Sequence, residues 1–150
     1  MSIKETLQAD LNTAIRSRDE VSSSTIRMLL TAITNEEVAG KEKRELKDEE
    51  IITVLSREAK KRREAAEAFE AAGRADKATA EKAEGEVIAK YLPAQLSDAD
   101  LQKLIDEAIA ATGAAGPADM GKVMGALKPK IAGKADGATV SNLVKAALNK

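Results

Sequence analysis

Lys122, Lys128, Lys130, Lys134 and Lys145 are the residues whose type and spacing point most directly to chemistry, and that chemistry is neutralisation of phosphate. Gly121, Gly125 and Gly133 stand among them, so parts of the intervening backbone carry no side chain and admit close approach. Residues 113–150 hold six lysines against Asp119 and Asp136, net +4. By contrast, residues 1–93 hold 17 Lys/Arg against 19 Asp/Glu, net −2, and residues 94–150 hold 7 Lys against 6 Asp/Glu, net +1. The basic character is local. Free N–H groups at the start of a helix near Met120 would add to such an anion site, with Asp119 opposing it. A second basic run, Arg57, Lys60, Lys61, Arg62 and Arg63, lies on a long helix, with Arg62 close enough to the apolar stripe for its stem to pack. Phe69 and Tyr91 are the only aromatics, so the stacking platform of a single-strand reader is missing. Recognition of a folded RNA by shape and backbone is the nucleic-acid reading that remains. Two plainer readings stay open beside it: the lysines solvate helix faces, and the two glycines four apart let another helix pack closely.

Catalytic chemistry has little to stand on. The chain has no His and no Cys, so the commonest general base, thiolate metal sites and disulfides are all absent. Glu36-Glu37 and Asp48-Glu49-Glu50 are adjacent acids, but neighbours on a helix point in different directions and do not converge on one ion. Ser22-Ser23-Ser24-Thr25 lacks the glycine-rich surroundings and partner lysine of an amidase serine, and reads as the cap and start of a helix. Gly133-Lys134 fails as a P-loop, because Lys128 stands where its first glycine belongs and Ala135 where its Ser/Thr belongs. No catalytic residue, metal or cofactor is expected.

The elements that position these residues are helices. Of the 150 residues 43% are hydrophobic, but the near-absence of aromatics leaves an aliphatic, alanine-rich core suited to packed helices. Ser2 to Glu5 is a capping box opening a helix on Ile3, Leu7, Leu11, Ala14 and Ile15. A second helix carries Ile26, Leu29, Leu30 and Ile33, and residues 40–47 are a charged loop. Asp48 is expected to cap a long third helix through Ile51, Ile52, Leu55, Ala59, Ala66 and Phe69, stopped by Ala72-Gly73. The fourth helix, to about Lys90, has Ala80, Ala83, Val87 and Ile88 on its face, and Tyr91-Leu92-Pro93 ends it. Three short helices follow: Leu101 to Ile109, Met120 to Ile131, and Val140 to Leu148. Pro129 would strike the carbonyl of residue 125, where glycine leaves the backbone free to bend. The expected fold is all-α: an N-terminal domain of about four helices with a long helical hairpin (1–93), then a three-helix tail (94–150). No apolar run approaches a membrane span and the N-terminus lacks a signal-peptide core, so a cytoplasmic protein without a membrane partner is expected.

Several runs carry a family likeness. Ala118-Asp119-Met120-Gly121-Lys122-Val123-Met124 with Gly133-Lys134-Ala135-Asp136-Gly137 resembles the signature of the GatB/YqeY tail. Ile26-Arg27-Met28-Leu29, Asn35-Glu36-Glu37, Ala71-Ala72-Gly73-Arg74 and Tyr91-Leu92-Pro93-Ala94-Gln95-Leu96 extend the resemblance over essentially the whole chain, which looks like a stand-alone YqeY-like member. In the tRNA-dependent amidotransferases the related tail is implicated in holding the tRNA body, a role that maps onto Gly121, Lys122, Gly125, Gly133 and Lys134. Activation of the misacylated tRNA and glutamine hydrolysis belong there to other domains and subunits. The label of carbon–nitrogen ligase with glutamine as amido donor therefore attaches to the larger subunit. The resemblance implies tRNA as ligand, or else an adaptor role on an amidotransferase or aminoacyl-tRNA synthetase.

Overall fold

The computed structural model describes residues 1–149. Its regular elements are α1 (Ile3–Arg16), α2 (Glu20–Glu37), α3 (Asp48–Ala71), α4 (Ala75–Ala89), α5 (Asp98–Thr112), a 3-10 turn (Pro117–Asp119), α6 (Met120–Ile131) and α7 (Gly137–Leu148). No strand occurs among the described residues, so the all-α expectation is met. The chain separates into two compact units, Met1–Leu92 and Pro93–Lys150.

In the first unit α1 opens on the capping box: Glu5 N donates to Ser2 Oγ (3.1 Å) and Ser2 N to Glu5 Oε2 (3.0 Å). Leu7 and Ala14 are buried, with Ile3 and Leu11 packed beside the core. Ile15 departs from expectation. It is 47% exposed, because spacing through 7, 11 and 14 centres the buried stripe away from it. Asp19, rather than the serines, caps α2, accepting from Ser22 N (3.1 Å) and from the Ser22 hydroxyl (2.7 Å). Those two bonds hold the Asp19 carboxyl below the usual carboxylate range. Ile26, Leu29 and Ile33 then enter the core.

The N-cap of α3 is Lys47, whose N–H donates to Glu50 Oε2 (2.9 Å). Asp48 reaches elsewhere: its Oδ1 accepts from Ile3 N (3.1 Å), so it satisfies a free N–H at the start of α1. Ile51, Val54 and Leu55 meet Val87 and Ile88 in one core. Gly73, at φ 74°, turns the chain into α4. On α4 Val87 and Ile88 are buried and Ala83 half-buried as expected, but Ala80 is exposed, while Ala78 is buried and Glu81 half-buried on the inner side. Alanine marks a face weakly, and the charged Glu81 concealed this one.

The second unit has its own core of Leu101, Ile105 and Ala108 from α5, Val123, Leu127 and Ile131 from α6, and Val140, Val144 and Leu148 from α7. Ser97 caps α5 through Asp100 N (3.1 Å), and Gly113 at φ 67° ends it. Asp136 caps α7, accepting from Thr139 N (3.3 Å) and Thr139 Oγ1 (3.1 Å). Pro129 lies within α6 but in its last turn, where one missing N–H and a glycine at 125 leave the helix continuous to Ile131.

Candidate nucleic-acid interface

Val123, Leu127 and Ile131 fix the rotation of α6 by burying one face. At 3.6 residues per turn, Gly121, Lys122 and Gly125 fall on the opposite, solvent side, with Lys128 at one flank and Lys130, about half a turn from Gly121, at the other. All five are exposed. A Cβ added at Gly121 or Gly125 would meet nothing within 4 Å, so none of the described residues packs closely on this stripe. Close packing within the chain does not account for the two glycines.

Gly133 is left-handed at φ 72° and leads from α6 into the turn that presents Lys134. Lys134 N donates to Ile131 O (2.8 Å), while its carbonyl accepts from Leu96 N (2.9 Å). Gln95 Nε2 donates to Gly133 O (2.8 Å) and to Pro93 O (2.9 Å), so residues 95–96 strap this turn. Lys145 stands on the exposed side of α7. Thus Gly121, Lys122, Gly125, Lys128 and Lys130 share one helix and Gly133-Lys134 the following turn, whereas Lys145 comes from a separate element.

The charges are unevenly compensated. Lys122 Nζ lies 3.6 Å from Asp119 Oδ1 and is 70% exposed. No carboxylate among the described residues lies within ion-pairing distance of Lys128, Lys130, Lys134 or Lys145. Asp119 is anchored by Ala115 N (3.0 Å), which with Lys122 holds its carboxyl below the ordinary range, so it stays ionised near the start of α6. Asp136 is occupied as a cap.

The second basic run differs. Arg57 pairs with Glu36 (3.6 Å), Lys60 with Glu64 (4.0 Å) and Lys61 with Glu58 (3.0 Å). Arg62 is only 19% exposed, turned inward against Met28 and met by Glu58 (3.8 Å), Glu81 (3.7 Å) and Glu84 (3.1 Å). This cluster belongs to the α3–α4 hairpin rather than to a free cationic surface.

The candidate catalytic groups disperse. Glu36 faces Arg57, Glu37 faces Lys4, and Glu50 faces Arg44 (2.8 Å) and Lys47 N. No group of three or more His, Cys, Asp or Glu suited to a metal occurs among the described residues. Ser22, Ser23 and Ser24 each bond within their own helix turn, to Asp19, Glu20 O and Val21 O. Gln95 is the residue that sequence reasoning missed. Its amide role in strapping the turn has no periodicity or charge to signal it.

Among the described residues no helix is long and apolar enough to cross a membrane. A comparison with curated proteins finds no match. The model of the Yqey-like protein family matches residues 4–148, nearly the entire chain that folds into α1 to α7, and the chain therefore belongs to the YqeY-like family.

Proposed function

We propose that this protein is a non-catalytic helical module that binds folded RNA, tRNA foremost, through the α6 face and the 133–134 turn, in the cytoplasm. The carrying observation is the set of exposed lysines at 128, 130 and 134 with no carboxylate among the described residues in pairing range, on the same helix and turn as the bare stripe at Gly121 and Gly125. Lysines on such a face neutralise phosphates, and helix backbone without side chains lets a sugar–phosphate chain come close. The shortage of aromatics fits reading by shape and backbone rather than by base stacking. Likeness of the tail to that of the amidotransferase subunit supports tRNA as the RNA and tRNA amidation or aminoacylation as the setting. The test is binding of nuclease-treated protein to unfractionated tRNA over a salt series. A phosphate-dominated site loses affinity with a slope of about 0.7–0.9 per phosphate contacted on a log–log plot. No binding at low salt would reject the proposal.

One observation favours a second reading, an adaptor docking on an amidotransferase or aminoacyl-tRNA synthetase. A groove along the α3–α4 hairpin is lined by the small residues Ala59, Ala66, Gly85 and Ala89 between charged side chains such as Arg63, Glu67 and Glu86, a setting that would admit a partner helix of mixed charge. Recovery of a stoichiometric amidotransferase or synthetase on the purified chain, after nuclease treatment, would support it. Glutamine turnover by the chain alone is not expected under either reading.

A further inference from the structure

We infer that the Gln95 carboxamide is a positioning group for Lys134, holding the Gly133–Lys134 turn so that the lysine meets phosphate from a fixed backbone. The inference rests on the RNA-binding reading and adds a residue that neither charge nor spacing suggests. Gln95 gives both of its amide hydrogens to carbonyls, Gly133 O at 2.8 Å and Pro93 O at 2.9 Å. The next residue continues the strap, Leu96 N donating to Lys134 O at 2.9 Å. Two successive carbonyls of the turn are therefore tied to two successive residues of the segment entering the tail. Leu96 is itself packed against the tail core, so the strap is anchored rather than loose.

The turn needs this help. Gly133 adopts a left-handed conformation, and glycine restricts its own backbone less than any other residue. Lys134 and Ala135 N–H groups both return to Ile131 O, at 2.8 and 3.2 Å, closing the inner side of the turn. Without Gln95 the outward carbonyl of Gly133 would have only water, and the peptide preceding Lys134 would be held on one side alone, by the Lys134 N–H bond to Ile131 O. Lys134 has a long flexible stem, so a wandering backbone raises the ordering cost of each phosphate contact.

The experiment measures affinity for unfractionated tRNA across a salt series with the full chain and three variants: Gln95→Met, Lys134→Ala and the double variant. Methionine keeps the volume and removes both donors without adding charge. Hydrogen exchange at Leu96 N–H, with circular dichroism for overall fold, verifies that the strap loosens while the bundle stays folded. The expected result is a two- to tenfold loss for Gln95→Met, a salt slope lower by up to about 0.9, and no further loss on adding Gln95→Met to Lys134→Ala. Losses that add in the double variant, or unchanged binding by Gln95→Met while Lys134→Ala weakens it, would overturn the inference and leave the RNA reading standing. If Lys134→Ala binds like the unmodified chain, Gln95 has nothing to position and the inference falls. Absence of binding by the unmodified chain would overturn the RNA reading with it.

Discussion

Lys4 Nζ sits 2.8 Å from Oε1 of Glu37, a carboxylate whose side chain is 2% exposed. The other oxygen of Glu37 accepts from Leu46 N at 3.1 Å, and its own carbonyl accepts from Arg44 N at 3.1 Å. One buried acid thus joins the start of α1, the end of α2 and the loop leading into α3. The Lys4 bond, aided by Leu46 N, holds the Glu37 carboxyl below the usual range despite burial.

That arrangement sets an acid limb. Because the folded-state pKa is depressed, the contribution is fully present above the ordinary value of 4.5 and is lost as pH falls through the lower folded value. Glu37→Gln should lower unfolding free energy by about 2 kcal/mol at pH 7 and flatten the loss of stability below pH 4.5. Urea denaturation at pH 7 and across the acid range reads both. An unchanged acid limb would contradict this account of Glu37.

Arg62 is the corresponding centre of the α3–α4 hairpin. Removing it leaves Glu58, Glu81 and Glu84 facing one another in a partly buried space. Arg62→Met should therefore cost about 2–4 kcal/mol, and Glu84→Gln added to it should restore part of that. Chemical denaturation of the single and double variants measures the coupling. Strictly additive effects would mean the cluster does not act as a unit.

Among the described residues Arg18 is the one non-glycine with positive φ, at 58°, in the α1–α2 turn. Arg18→Gly should stabilise the fold by about 0.5–1 kcal/mol, since the left-handed strain of an L-residue exceeds glycine's added chain entropy. A thermal melt with a lower midpoint would contradict it.

Gly121 and Gly125 separate stability from function. With open space at each Cβ and helical backbone, alanine at either position should stabilise α6 by about 1 kcal/mol. If the bare stripe receives an RNA backbone, the same changes should weaken tRNA binding. Variants that are more stable and bind less well are the expected pair of results, read by melting and by equilibrium binding.

Much of this architecture was legible because aliphatic residues speak clearly. Leu101-Ile105-Ala108, Val123-Leu127-Ile131 and Val140-Val144-Leu148 bury as their spacing required, and Ser2 and Gly73 begin and end helices for reasons visible in their chemistry. Legibility failed where polar groups decide. Lys47 rather than Asp48 caps α3 because Asp48 serves a helix forty-five residues away in sequence, a bond no local pattern encodes. On α4 Val87 and Ile88 bury as expected, but the first half of the face differs, with Ala80 outside and Glu81 on the inner side, drawn in by Arg62. In the candidate site the lysines and glycines announced themselves by type. Gln95 did not, since its role depends on a carbonyl thirty-eight residues on.

The most direct test of the central claim reverses three charges together, Lys122→Glu, Lys130→Glu and Lys134→Glu, and compares salt-dependent binding to unfractionated tRNA with that of the unmodified chain. All three side chains are exposed, so the fold should survive. The account predicts salt-sensitive binding by the unmodified protein and its loss in the variant at unchanged helicity. Binding that persists in the variant with the same salt slope would contradict it and remove the α6 face and its turn from the function.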